Sequence, residues 1–176
     1  MSNQEFSKQN GIVLTPEHYK EIFTKHYDGL FRMMYRMVGQ HTQAEDLVQE
    51  AFVRLYTHWQ EIDPLKTKAW LFQVASNLGL NALRNEKRRR LRQREAATFP
   101  GRANCTVEQH GKKMDVHHIL GQMPERQSKL LMLYMAGLSH QEIADATGLK
   151  KSSLSRMLLD SKRTFEQMYQ SCQGEN

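Results

Sequence analysis

The stretch SHQEIADATGL, residues 139–149, predicts two short helices that meet at a fixed angle. Ser139 and Glu142 have the spacing of a capping box, which favours the start of a helix. Gly148 can adopt the positive φ that a tight turn requires, and Ala144 is small enough to lie where two helices cross. The apolar residues that would hold this angle are Ile143, Leu149 and Leu154. The stretch therefore predicts a helix-turn-helix, and an ordinary helical hairpin with a glycine turn is the alternative.

The helix after this turn carries candidate DNA-binding residues. In a helix-turn-helix, the exposed start of the second helix contacts base edges and phosphates in the major groove. The residues at that start are Ser152, Ser153, Ser155 and Arg156. Arg156 is the long cation of this set, so we expect it to contact either a guanine or a phosphate.

Elsewhere in the chain, apolar residues recur at three- and four-residue steps, which is typical of helices. We expect an all-α protein of two small helical domains joined by a linker, with no wing attached to the helix-turn-helix. The periodicity disappears over about residues 95–111, which indicates the linker. The predicted boundaries are an N-terminal extension at 1–15, expected to be disordered, a helical domain at 16–95, the linker at 96–111 and the helix-turn-helix domain at 112–172.

Three local signals place the helices of the first domain. The first helix should start at Thr15-Pro16, a cap followed by a proline at the first helical position. Thr42 and Glu45 have the spacing of a capping box at the start of a second helix. After a break at Asp63-Pro64, a long third helix is expected over about residues 66–94.

A polar stripe follows one face of this third helix. Its members lie three or four residues apart and are Gln73, Asn77, Asn81, Arg84 and Arg88. Amide and guanidinium groups pair with bases, and the stripe runs into a basic segment, 87–94, that could neutralise phosphates. Trp70 and Phe72 either stack on unpaired bases or belong to the core. The stripe thus favours nucleic-acid binding, and a solvated helix face is the alternative.

The overall charge supports a polyanionic partner. The 176 residues carry a formal charge of +6, which favours nucleic acid ahead of an anionic membrane surface. The predicted second helix is the exception, because Glu45, Asp46, Gln49 and Glu50 lie close together there. Acidic groups would repel DNA, so this face predicts a protein partner with a basic surface. The alternative is that acidic residues near the N-terminus of the helix complement its dipole. This would explain Glu45 and Asp46 but hardly Glu50.

Several classes of protein are disfavoured. Neither a signal peptide nor a membrane-spanning run is recognisable, so we expect a cytoplasmic protein. No glycine-rich phosphate loop, GxSxG or HExxH is present, which predicts neither an enzyme nor a small-molecule substrate. The spacing of Cys105, His110, His117 and His118 matches no standard zinc pattern, so no metal or cofactor is expected.

Two sets of motifs resemble those of a known family. AEDLVQEAF at 44–52, AWL at 69–71 and ASNL at 75–78, followed by Arg84, resemble conserved region 2 of bacterial sigma factors. MPERQ at 123–127 and GLSHQEIA at 137–144 resemble region 4. Because both regions occur in order without an intervening domain, the chain is similar to the extracytoplasmic-function (ECF) group.

This resemblance implies a promoter-recognition subunit of RNA polymerase. The helix around Asp46, Gln49 and Glu50 would dock on the clamp helices of the largest polymerase subunit. The polar stripe, with the loop 63–68, would recognise the −10 element and hold its melted non-template strand. The last helix would bind the −35 element of promoter DNA, and the linker would lie along the polymerase towards its RNA exit path.

Two matters stay open at this point. The resemblance does not tell whether a membrane-bound anti-sigma factor restrains the protein. A helix-turn-helix repressor or activator, whose first domain is a sensing or dimerisation bundle, is the alternative function. Such a bundle needs neither the acidic face nor the polar stripe.

Overall fold

The computed structural model of the chain describes residues 14–97 and 116–173. Within these ranges all regular structure is helical, which confirms the predicted all-α class. Most of the predicted extension at 1–15 and of the predicted linker at 96–111 lies outside the described residues. None of the described helices has both the length and the apolar character needed to cross a membrane.

The first domain consists of three helices, α1 (Pro16–Val38), α2 (His41–Thr57) and α3 (Thr67–Ala97). The predicted start of α1 is confirmed, because the Thr15 side chain accepts a hydrogen bond from the His18 N–H. Gly39 ends α1 with a φ of 73°, a conformation that costs a glycine little. The connection to α2 is therefore short, and the two helices pack side by side.

The capping box predicted for α2 is wrong. This helix starts at His41, its cap residue is Gln40, and no side chain caps its N-terminus. Because Gly39 closes α1 so near to this point, α2 begins one residue before Thr42 and includes it. Glu45 lies in the first turns of the helix, where its carboxylate is 3.3 Å from Nδ1 of His41.

The break at Asp63-Pro64 is confirmed and forms a compact connection between α2 and α3. Two 3-10 turns, Trp59–Glu61 and Pro64–Lys66, make up most of it. The Asp63 carboxylate accepts a hydrogen bond of 3.0 Å from the Leu65 N–H. Trp59 and Ile62 are buried and attach the connection to the core, which fixes the position where α3 begins.

Close packing of α1 against α3 is made possible by a glycine. A Cβ atom at Gly79 would lie 2.7 Å from Sδ of Met37, so a larger residue would force the buried Met37 side chain to move. The apolar residues buried between α1, α2 and α3 include Met33, Met34, Met37, Val48, Phe52, Leu55, Leu71 and Phe72. This core holds the polar stripe of α3 and the acidic face of α2 on separate outer surfaces.

The second domain contains four helices within the described residues: α4 (Val116–Gln122), α5 (Glu125–Met135), α6 (His140–Thr147) and α7 (Lys151–Gln173). The capping box of α6 is confirmed, because Glu142 N–H donates to Ser139 Oγ and Ser139 N–H donates to the Glu142 carboxylate. Gly148 adopts a φ of 70° at the turn into α7. Of the two alanines, Ala146 is fully buried and Ala144 is half-buried.

The two domains are packed against each other. Helix α4 contacts α1 and α3, and helices α5 and α6 contact α3. Buried residues of both domains, among them Met37, Leu80, Ile119 and Leu120, belong to one continuous apolar cluster. The position of the second domain brings α5 beside the polar stripe.

Candidate nucleic-acid interface and acidic face

The predicted polar stripe lies on the outer surface of α3. Asn77, Asn81, Arg84 and Arg88 are exposed, whereas Gln73 is half-buried. Nη1 of Arg84 donates a 2.9 Å hydrogen bond to Oδ1 of Asn81, which orders two members of the stripe relative to each other.

Helix α5 supplies partners for two residues of the stripe. Nζ of Lys129 donates a 2.8 Å hydrogen bond to Oδ1 of Asn77. Arg84 forms an ion pair with the carboxylate of Glu125, the first residue of α5. Burial lowers the pKa of the Lys129 ammonium, although the nearby Glu125 carboxylate works in the opposite direction. The stripe therefore faces both solvent and the second domain.

The two aromatic residues near the start of α3 have different surroundings. Phe72 is a core residue, packed against Gly29 and edge-on to the ring of His26. Trp70 is half-buried, and its ring centroid lies 6.2 Å from that of His58. Stacking of Trp70 on a base stays a prediction.

An acidic residue organises the basic end of α3. Arg89 and Arg90 both donate to the Glu86 carboxylate at 2.8 Å. The hydrogen bond from Arg89 lowers the pKa of Glu86 to about 2, with Arg90 contributing and partial burial opposing. Glu86 is therefore ionised at neutral pH and offsets part of the positive charge of this segment, in which Lys87, Arg88 and Arg92 are also exposed cations.

The acidic face of α2 is exposed and has an apolar continuation. Asp46, Gln49 and Glu50 are exposed, and Glu50 also accepts a 2.8 Å hydrogen bond from Arg54. Val53 and Tyr56, which are 55% and 67% exposed, follow on the same side of the helix. The sequence analysis missed these two residues, although steps of four and seven from Gln49 would have found them. A face that combines carboxylates with exposed apolar groups suits a protein partner.

The start of α7 presents the predicted −35 residues to solvent. Ser152, Ser153, Ser155 and Arg156 are exposed, while Leu154 and Leu158 are buried against the domain. The sequence analysis missed two further cations at this site. Lys150 immediately precedes the helix, and Lys151 is its first residue. Arg156 is therefore not the only long cation there. Positive side chains at a helix N-terminus favour phosphate contacts.

A cavity of about 500 Å³ lies where α1, the second 3-10 turn and α6 meet. Its lining includes His26, Leu65, Lys68 and Glu142, and Lys68 Nζ is 2.9 Å from the Glu142 carboxylate. Burial lowers the pKa of His26, and the charges of Lys25 and Lys68 lower it further, against the effect of Glu142. The cavity adjoins the loop 63–68, which the resemblance assigned to the −10 element.

Comparison with known proteins agrees with this arrangement. The family model "Sigma-70 region 2" matches residues 22–89, which contain α2 and the polar stripe. The model "Sigma-70, region 4" matches residues 113–164, which contain the helix-turn-helix. Both matches occur in the order that the motifs predicted.

Two curated relatives are ECF sigma factors. The chain is 24% identical over 152 residues to the ECF RNA polymerase sigma factor SigM of Bacillus subtilis, covering 85% of this chain and 93% of that protein. It is 29% identical over 141 residues to the ECF RNA polymerase sigma factor SigE of Mycolicibacterium smegmatis, covering 75% of this chain and 54% of that protein. The chain therefore spans about half the length of SigE and nearly all of SigM.

Solved structures share the fold. CnrH, in complex with the cytosolic domain of CnrY, has a TM-score of 0.65 and 18% identity, over 96% of this chain and 95% of that chain. The sigma factor RpoE of Bartonella quintana, in complex with the anti-sigma factor NepR, has a TM-score of 0.59 and 20% identity, over 88% of this chain and 98% of that chain. With regions 2 and 4 in order and relatives of one group along most of its length, the chain belongs to the ECF sigma factors, the promoter-recognition subunits of bacterial RNA polymerase.

Proposed function

We propose that α2 binds the polymerase core, α3 recognises the −10 element and α7 binds the −35 element. The observation that carries this proposal is the presence in one chain of an acidic, partly apolar face and two separate helices with exposed polar and basic side chains. Each of the three surfaces suits a different partner, so one protein can contact polymerase and two DNA segments together.

The face of α2 fits a basic and partly apolar helical partner. Asp46 and Glu50 would attract cationic side chains, while Val53 and Tyr56 would lose contact with water on binding. The proposed partner is the pair of clamp helices of the largest polymerase subunit. Glu45 contributes less, because it is half-buried and close to His41.

The stripe of α3 fits unpaired and paired bases of the −10 element. Asn77 and Asn81 offer both a donor and an acceptor, which amides use to recognise base edges. Arg84 and Arg88 add charge for the phosphates, with Gln73 and Trp70 at the margin. The cavity beside loop 63–68 provides an adjoining concave surface.

The start of α7 fits the major groove of the −35 element. Its serines are short, so the helix can approach the base pairs closely, and Lys150, Lys151 and Arg156 can hold phosphates on either side. Non-specific attraction of the cations would be lost gradually as salt is added.

We further propose that the protein has no catalytic activity of its own, needs no metal or cofactor, and acts in the cytoplasm, where it meets polymerase. An anti-sigma factor is a proposed regulatory partner. This extension is suggested by the relative RpoE, which was solved in complex with the anti-sigma factor NepR.

Run-off transcription tests the proposal. Purified polymerase core should start at defined sites on promoter fragments from the protein's own genome only when this protein is added. Glu50→Lys should weaken core binding, because it places a cation on the acidic face. Glu17→Lys, an equal charge change at the exposed start of α1, is the control. The proposal fails if no site-specific transcript forms with the wild-type protein.

A further inference from the structure

A group of exposed aromatic and aliphatic side chains lies where the start of α1 meets the end of α2. The ring of Tyr56 is edge-on to that of Tyr19, with their centroids 6.2 Å apart. Tyr19 is in turn stacked on Phe23, which is exposed. Val53, three residues before Tyr56, is also exposed and lies one helical turn away on α2. We call these four residues the aromatic patch, and it continues the acidic face of α2.

The chain enters α1 next to this patch. Because Thr15 caps α1, Leu14 and Tyr19 occupy the two positions of a hydrophobic staple, one before the cap and one four residues after it. Both side chains are half-buried and pack against the core. A staple fixes the angle at which a chain enters its helix. The residues before Leu14 therefore approach α1 from the side that carries Tyr19.

The segment before Leu14 has side chains that complement both the patch and the acidic face. Residues 1–13 lie outside the described residues, and their sequence combines several apolar side chains with a single lysine. Apolar groups can cover the patch, and an ammonium group can pair with the carboxylates beside it. The side chains with this chemistry are Phe6, Lys8, Ile12 and Val13.

The segment is long enough to follow α2 as far as its acidic face. An extended chain spans at most about 3.3–3.6 Å per residue, so Phe6, eight residues before Leu14, can reach roughly 26 Å. Tyr56 and Asp46 are ten residues apart on α2, which is about 15 Å along a helix. Ile12 and Val13, which directly precede Leu14, can reach only the near part of the patch.

We propose that residues 6–13 bind the aromatic patch and the adjoining acidic face, and that they compete with polymerase core for this surface. Phe6, Ile12 and Val13 cover the apolar groups, and Lys8 pairs with Glu50. This inference rests on the proposed function of α2. Because the segment belongs to the same chain, its effective concentration at α2 is high and weak contacts suffice.

The expected cover is partial, because a segment that becomes ordered loses conformational entropy. Polymerase binds only those molecules in which the segment has left α2, so its apparent affinity falls with the uncovered fraction. If the segment covers between half and nine-tenths of the molecules, its removal raises the affinity for core about two- to tenfold.

Photo-crosslinking in the full chain tests where the segment lies, without polymerase. Benzoylphenylalanine in place of Phe6 should label peptides from α2 around Val53 and Tyr56 in the monomeric protein, as identified by mass spectrometry. Benzoylphenylalanine in place of Tyr169, which is exposed on α7, is the control and should not label α2. The proposal is overturned if position 6 labels no peptide of the aromatic patch or the acidic face.

A charge exchange tests the pairing of Lys8 with Glu50. Lys8→Glu should lower the yield of the crosslink from position 6, and its combination with Glu50→Lys should restore the yield. Lys8→Glu with Glu166→Lys, an equal charge change on the exposed side of α7, is the matched control and should not restore it. An unchanged yield in Lys8→Glu, or equal yields in the two combinations, would overturn this placement of the segment.

Affinity for polymerase core tests the competition. Phe6→Ala combined with Ile12→Ala should bind core about two- to tenfold more tightly than wild type, whereas Ser2→Ala with Ser7→Ala should bind like wild type. Equal affinity of the two variants would overturn the competition. Weaker binding by the first variant would overturn it too, because the segment would then contact polymerase itself. If wild type does not bind core at all, the proposed function of α2 fails, and the crosslink still reports where the segment lies.

Discussion

The two proposed DNA-binding surfaces have similar side chains but different surroundings. On α3, Asn77 and Arg84 are already bonded to residues of α5. On α7, Ser152 and Arg156 are exposed, and the buried residues of that helix face its own domain. Side-chain chemistry indicates which groups can bind DNA, whereas domain packing determines which of them are accessible in the free protein.

The difference follows from how each helix is packed. Helix α3 contacts α1 and α2 of its own domain and α4, α5 and α6 of the second domain. Helix α7 packs mainly on α5 and α6, and one side of its first turns is exposed to solvent. Removal of side chains from the two surfaces should therefore have different consequences, which the following experiments compare.

The largest effect is expected from Asn77→Ala combined with Asn81→Ala. Loss of each base contact should cost roughly 1–3 kcal/mol in open-complex formation. Permanganate footprinting of the melted −10 region would measure it. The same variant removes Oδ1 of Asn77, which accepts a hydrogen bond from Lys129. The two domains should therefore separate more easily, even though promoter melting is weakened.

Binding to polymerase core is the control for this double variant, and it should be unchanged because α2 is untouched. Undiminished promoter melting would contradict base contacts by the two amides. The stripe would then be a solvated helix face.

An intermediate effect is expected at the start of α7, where Arg156→Ala and Lys151→Ala can be compared. A lost base contact should cost about 1–3 kcal/mol and relax preference at one −35 position. A lost phosphate contact should weaken binding to all sequences alike. It should also reduce the slope of log affinity against log salt concentration by about one. We expect phosphate behaviour from Lys151, at the helix N-terminus, and from Arg156. Binding titrations over a range of salt concentrations, on cognate and altered −35 duplexes, separate the two cases.

A smaller effect is expected from Ser139→Ala, which removes the side-chain half of the α6 capping box. Loss of such a cap typically costs about 1 kcal/mol of stability. Thermal unfolding would measure this change, with Ser171→Ala at the exposed end of α7 as a control. Because α6 sets the angle of α7, −35 binding should weaken while binding of a −10 oligonucleotide does not. An unaltered melting temperature would contradict a stabilising cap.

Local features were predictable from the sequence because each depends on neighbouring residues. The cap at Thr15, the turn at Gly148 and the capping box at Ser139 follow from residue type and spacing alone. The proposed box at Thr42 failed because the tight turn at Gly39 determined where α2 starts. That constraint comes from the preceding helix, and the spacing of Thr42 and Glu45 does not reveal it.

The candidate surfaces were predictable in composition but not in their contacts. The periodicity of α3 identified the stripe, but nothing in it indicates that Lys129, 52 residues later, donates to Asn77. Tyr56 lies at core spacing in α2, but the structure shows it exposed beside Val53. Spacing from Gln49 could have identified the face that carries Val53 and Tyr56, whereas the contact between Lys129 and Asn77 depends on long-range packing that spacing does not reveal.

The smallest effect is expected from acid titration of the contact between α3 and α6. Partial burial alone would raise the pKa of Glu142, but hydrogen bonds from Lys68 and Ser139 outweigh it and lower the pKa below 4.5. The stabilisation is therefore fully present above pH 4.5 and is lost as the pH falls through the lower, folded value. Because the pair is partly exposed, the loss should stay below about 1 kcal/mol, a change of roughly 1–3 °C in melting temperature. Melting curves from pH 6 to 3 would compare wild type with Glu142→Gln, which retains a capping side chain, and with Lys68→Met. If Lys68→Met follows the wild-type pH profile, only Ser139 holds the carboxylate, and the contact between the domains contributes nothing at this end of α3.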